Sequence, residues 1–184
     1  MTEYPSPSEA LAAVLPFWRA SADHWFSKSD AFDADFRARF MSAHDRAARG
    51  ELDAAATTAD AALALVLLLD QFPRNSFRNS PRMYATDAQA RAQAMRAIDA
   101  GFDSEVEPAL RAFFYLPFSH SEALADQERA VALNESIGAE YLRHARGHRE
   151  IVRRFGRFPH RNAILGRTST ADEAAYLAQG GFSG

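Results

Sequence analysis

The stretch AALALVLLLDQF, residues 61–72, places apolar side chains on every face of a helix. Such a helix cannot lie on a water-facing surface and predicts a central position, wrapped by other elements. Its apolar part falls far short of the roughly 20 residues needed to cross a bilayer, which points to the middle of a globular core rather than a membrane span. Thr57 or Thr58 offers an N-cap hydroxyl, and Pro73 is expected to stop the helix.

The remaining signals are also helical. Ser8 to Arg19 has apolar residues at 11, 14, 15 and 18, and Asp30 to Arg49 repeats the pattern with Phe32, Phe36, Phe40 and Met41 before Gly50. Asp87 to Ala100, with Thr86 as cap and Gly101 as stop, reads as an outer helix. Glu105 to Leu116 tolerates Pro108 in its first turn and is expected to end at Pro117. Ser119 or Ser121 caps a helix through about Ser136. Gly138 separates it from Ala139 to Phe155, which Gly156 closes. Ser169 or Thr170 caps a last helix, with Thr170 and Glu173 able to form a capping box. The expectation is an all-α fold of about eight helices in antiparallel pairs, stacked or bundled, as a single domain over residues 1–184.

Apolar residues make up 47% and charged residues 24%, an ordinary globular composition. Cysteine is absent, which excludes disulfides and thiolate metal sites. The N-terminal stretch lacks the basic start and apolar run of a signal peptide, so a soluble cytoplasmic protein is expected. The net charge of -3 conceals an asymmetry: residues 143–167 hold eight Arg against Glu150 alone, a local charge of +7, leaving -10 elsewhere. Lys28 is the single lysine in the chain.

Four groups of residues could carry chemistry. Asp70, Gln71, Arg74 and Asn75 end the apolar helix, where an ionised Asp needs a guanidinium or a ligand beside it. Glu122 and Asp126 lie four apart in the segment that follows His120, and on one helix face they call for a cation between them. His144 and His148 share a helix face and could hold a metal ion, but the surrounding Arg would repel it, so no metal and no cofactor is expected. Arg157, His160, Arg161 and Asn162 combine forked donors, an imidazole and an amide within six residues, a set suited to phosphate or carboxylate. Phe-Pro followed by Arg-Asn occurs in both LDQFPRN (69–75) and RFPHRN (157–162). Serine nucleophile elbows, Walker loops and dinucleotide-binding Gly motifs are missing.

Trp25-Phe26-x-Lys28, LLLDQFPRNSFR at 67–78, RAFFYLPFSHSEALADQERAVAL at 111–133 and HREIVRRFGRFPHRNAILGR at 148–167 together resemble one bacterial family, domain-of-unknown-function family 924. The resemblance implies a tetratricopeptide-like helical fold and no established activity. Lys28, Asp70, Gln71, Arg74, Asn75, Arg78, His120, Glu122, Gln127, His148, Arg157, His160, Arg161 and Asn162 match its motifs, while Ala123 stands where an acidic residue is expected.

The leading functional expectation is an Arg/His/Asn-lined pocket for a small anionic molecule. Arg74, Arg157 and Arg161 are read as anion clamps, Asp70 and Glu122 as orienters, and His120 and His160 as proton-transfer candidates. Lys28, Gln71, Asn75, Arg78 and Asn162 complete the ligand-binding set. Whether the chain is an enzyme stays open. One alternative is a helical module that receives a partner peptide. Another is RNA or nucleotide binding through residues 143–167.

Overall fold

The computed structural model describes residues 5–184, so the first four residues of the stretch read above for an export signal lie outside the described residues. The described residues form helices and turns without a strand, and the fold is all-helical as the spacing predicts. No helix among them is long and apolar enough to cross a membrane. The chain divides into two compact units, one of residues 1–78 and 82–117, the other of residues 79–81 and 118–184.

The first unit contains α1 (Pro7–Ala12), α2 (Val14–Ala20), α3 (Asp30–Ala48), α4 (Ala59–Ser76), α5 (Asp87–Asp99) and residues 108–117 of α6 (Pro108–Ser119). The helix expected over 8–19 is two helices, parted at Ala13. Pro16 lacks the N–H that the Ala12 carbonyl would accept, which interrupts the ladder there. As its composition requires, α4 packs against α1, α2, α3 and α5, and Leu63, Leu65 and Leu67 are fully buried. An aromatic layer surrounds it, with Trp18 edge-on to Phe113 at 5.2 Å and Phe36 edge-on to Phe72 at 5.2 Å.

Pro73 does not stop α4, which continues to Ser76. A proline leaves the carbonyl four residues earlier, here that of Leu69, without its helical donor. The Thr86 hydroxyl donates to that carbonyl at 2.5 Å, and His44 Nδ1 donates to the neighbouring Leu68 carbonyl at 2.9 Å. The lost hydrogen bond is replaced from outside the helix, so the chain need not leave it. Thr86 therefore occupies the N-cap position of α5 without capping it through its side chain. Pro117 likewise lies inside α6, which runs on to Ser119.

The second unit contains α7 (Leu124–Asn134), α8 (Ala139–Phe155) and α9 (Ala171–Ala178). Neither Ser119 nor Ser121 caps α7. Its N-cap is Ala123, and the Ser121 hydroxyl donates to Asp126 at 2.6 Å and accepts the Ala123 N–H at 3.2 Å. Between its flanking glycines α8 has the expected bounds, and Gly156 closes it at φ +70°, a conformation a side chain would strain. The Thr170–Glu173 capping box opens α9. Ile151, Val152 and Phe158 form the apolar centre, with Phe155 and Tyr176 against it. Sequential neighbours pack together in both units, α3 on α4, α4 on α5 and α7 on α8.

Candidate functional site

In the first unit the polar end of α4 carries two ionic clusters. Asp70 is fully buried, accepts the Gln71 amide at 2.6 Å and pairs with Arg74 at 3.2 Å. Arg74 also makes a forked contact with Asp87 in the first turn of α5, at 2.8 and 3.1 Å. Burial works against the Arg74 cation, but the Asp70 and Asp87 carboxylates outweigh it and hold its pKa above the ordinary value. In the second cluster Arg78 forks onto Asp33 of α3 at 2.5 and 3.1 Å, and Asn75 donates to the same carboxylate at 2.7 Å. Each guanidinium is met by an internal carboxylate, so these clusters fasten α4 to α5 and to α3. Lys28 is exposed and makes no ion pair among the described residues.

In the second unit a longer network is built. Glu122 lies before α7 begins, so it does not share a helix face with Asp126 as its spacing suggests. Its carboxylate instead receives Arg167 through both terminal nitrogens, at 2.7 and 2.9 Å, and the Phe158 N–H at 2.8 Å. Burial would raise the Glu122 pKa, yet these donors keep it below the usual carboxylate range. Arg167 Nε donates to the Asn162 side-chain oxygen at 2.9 Å, and the Asn162 amide donates to Ser169 at 3.0 Å and to Glu173 at 3.2 Å. Glu173 closes the series by receiving Arg157 at 2.6 and 2.8 Å, which brings its pKa down to about 2. Arg161 is buried over the Phe158 ring at 4.7 Å and donates to the His120 carbonyl at 2.9 Å.

The two Phe-Pro segments thus differ in backbone. Pro73 lies within a helix, whereas Pro159 opens a single 3₁₀ turn, Pro159–Arg161. That turn sets His160 in a group of rings. Phe182 meets His148 edge-on at 4.7 Å and His160 edge-on at 5.1 Å, and Phe158 lies 5.6 Å from His148 and 5.5 Å from His160. Burial pushes both imidazoles down to about 4, helped at His160 by the Arg161 charge, so both are neutral at pH 7. His148 Nδ1 faces the His144 carbonyl at 2.9 Å, while His160 Nδ1 is buried without a hydrogen-bond partner among the described residues.

Beside these rings runs a groove of about 380 Å³. It is lined by Gly147, Ile151 and Phe155 of α8 with Tyr176 of α9, by His148 and Phe182, and by the polar Arg143, His144, Glu150 and Arg154. Glu150 is engaged by Arg153 at 2.6 and 2.9 Å. Arg154 is exposed and lies 4.6 Å over the Phe155 ring and 5.8 Å from that of Tyr176, with no ion pair among the described residues. No group of three or more His, Asp or Glu among the described residues is placed to hold a metal ion.

Residues 14–181 match the model of the family described as bacterial protein of unknown function, DUF924. The chain belongs to this family. The solved structure of a protein of unknown function from Agrobacterium tumefaciens is similar to this DUF924 chain at 53% identity, with a TM-score of 0.91, covering 94% of this chain and 98% of that one. No protein among those of curated function matches it. Within this DUF924 chain Asp33, Asp87, Arg154, Arg167, Glu173 and Phe182 are site residues that no sequence motif singles out. Asp33 and Asp87 carried a signal, since acids in the first turns of α3 and α5 stand ready to receive guanidinium groups. Glu173 was visible only as a capping residue. Phe182, a lone aromatic after Gly180-Gly181, carried none.

Proposed function

We propose that the unit formed by residues 79–81 and 118–184 binds a small anionic molecule in the groove between α8 and α9. The observation that carries this reading is Arg154: an exposed guanidinium, stacked on aromatic rings in the lining of a groove and lacking an ion pair among the described residues, while Arg149, Arg153, Arg157 and Arg167 all hold carboxylates. A cation held over an aromatic face has little freedom left to lose when an anion arrives. The groove volume is within the range of small-molecule sites. Arg157 and Glu122, expected to touch a ligand, serve in this reading as the frame behind the groove.

His160 acts here as a neutral hydrogen-bonding group. An imidazolium that forms only near pH 4 is poorly matched to proton transfer at pH 7. The test is a thermal-shift screen of phosphate and carboxylate compounds on the full chain and on Arg154→Met. A ligand at a hundred times its dissociation constant stabilises by about 2.7 kcal/mol. Loss of that shift in Arg154→Met supports the assignment, and an unchanged shift refutes it.

A further inference from the structure

The segment that follows α9 returns over the site through a defined turn. Gly180 adopts φ +80°, the Gly181 N–H donates to the Tyr176 carbonyl at 3.0 Å, and the Phe182 N–H donates to the Tyr176 hydroxyl at 2.9 Å. A Cβ on Gly181 would meet Tyr176 ring and carbonyl atoms at 2.6 Å, so the path needs glycine there. The result is one phenyl ring set edge-on against His148 and His160, covering an imidazole whose Nδ1 lacks a partner among the described residues.

The cover is lightly held. Phe182 keeps 39% of its surface exposed, and Ser183 and Gly184 beyond it are exposed. Elements with few apolar contacts open at low cost. The ring also shows what fits: a planar six-membered aromatic, edge-on to two neutral imidazoles, beside a groove that Arg154 lines. We propose that Phe182 is an in-chain stand-in for an aromatic anion, which displaces it, seats its own ring between His148 and His160 and turns its phosphate or carboxylate toward Arg154. This rests on the groove reading above and names the class of its ligand. The segment at 180–184 then acts as a strap that ringless anions do not move.

The experiment is isothermal titration of the full chain with phenyl phosphate and with inorganic phosphate, for the parent, Phe182→Ala, Gly181→Ala and Arg154→Met. Removing the stand-in relieves the ligand of opening the strap, so Phe182→Ala is expected to bind phenyl phosphate roughly tenfold tighter and inorganic phosphate unchanged. Gly181→Ala, which dislodges the strap while keeping the phenyl ring, is expected to act in the same direction. Phenyl phosphate bound no better, or worse, by both variants overturns the proposal, as does its failure to bind any form. Arg154→Met separates the two readings. If it binds both probes as the parent does while Phe182→Ala gains affinity for phenyl phosphate, the ring site stands and the anion reading falls; weakened binding of both probes without a gain in Phe182→Ala leaves the anion reading standing and removes the strap.

Discussion

Replacing Thr86 by Val tests how a helix runs through Pro73. The substitution keeps the side-chain shape and removes the hydroxyl that donates to the Leu69 carbonyl at 2.5 Å. Leu69 and Thr86 are both buried, so water does not substitute and the carbonyl is left unmet. That costs about 1–3 kcal/mol. In a Pro73→Ala background residue 73 regains an N–H, and the Leu69 carbonyl receives its ordinary helical donor. The Thr86→Val penalty is then expected to fall below about 0.5 kcal/mol, a coupling of about 0.5–3 kcal/mol between residues thirteen apart in sequence. Thr86→Ser, which keeps the hydroxyl, is expected to cost less than Thr86→Val. Urea unfolding followed by tryptophan fluorescence is the assay, because Trp18 and Trp25 both report on the first unit. An equal Thr86→Val cost in the parent and in the Pro73→Ala background would refute the account and leave the continuity of α4 to packing alone.

Two further expectations concern pH. Glu173 has its pKa brought down to about 2 by Arg157, against an ordinary value of 4.5, so its stabilising contribution is complete above about pH 4.5 and is lost as pH falls toward 2. Glu173→Gln should lower stability by about 1–3 kcal/mol near neutrality, and its gap from the parent in thermal melts should close between pH 4.5 and pH 2; a gap constant across that range contradicts the pairing. His148 and His160 are pushed down to about 4 from 6.5, so the unfolded chain binds more protons at these two residues between those values, and their contribution to stability is flat above pH 6.5 and declines as pH falls toward 4. Imidazole Cε1 NMR titration should place both midpoints near 4, and a midpoint near 6.5 for His160 would mean that its ring is not buried as described.

The unexpected bounds at Pro73 and Thr86 share one physical cause. Helix bounds set by local chemistry were legible: Gly138 and Gly156 bracket α8, and the Thr170–Glu173 box opens α9, because each signal and its partner lie within a few residues. Bounds that depend on a distant donor were not. Pro73 reads as a stop until Thr86 supplies the missing hydrogen bond, and Thr86 reads as a cap until its hydroxyl is found at Leu69. The site divides the same way. That Glu122 calls for a cation was legible in the sequence, but sequence nominated Arg157 and Arg161 as anion clamps, while Arg167 takes Glu122 and Arg157 takes Glu173. Once those pairs are drawn, Arg146 and Arg154 are the α8 cations left without an ion pair among the described residues. Arg154 is the one of the two that lines the groove and lies over the Phe155 and Tyr176 rings, a condition that no spacing within residues 143–167 could express.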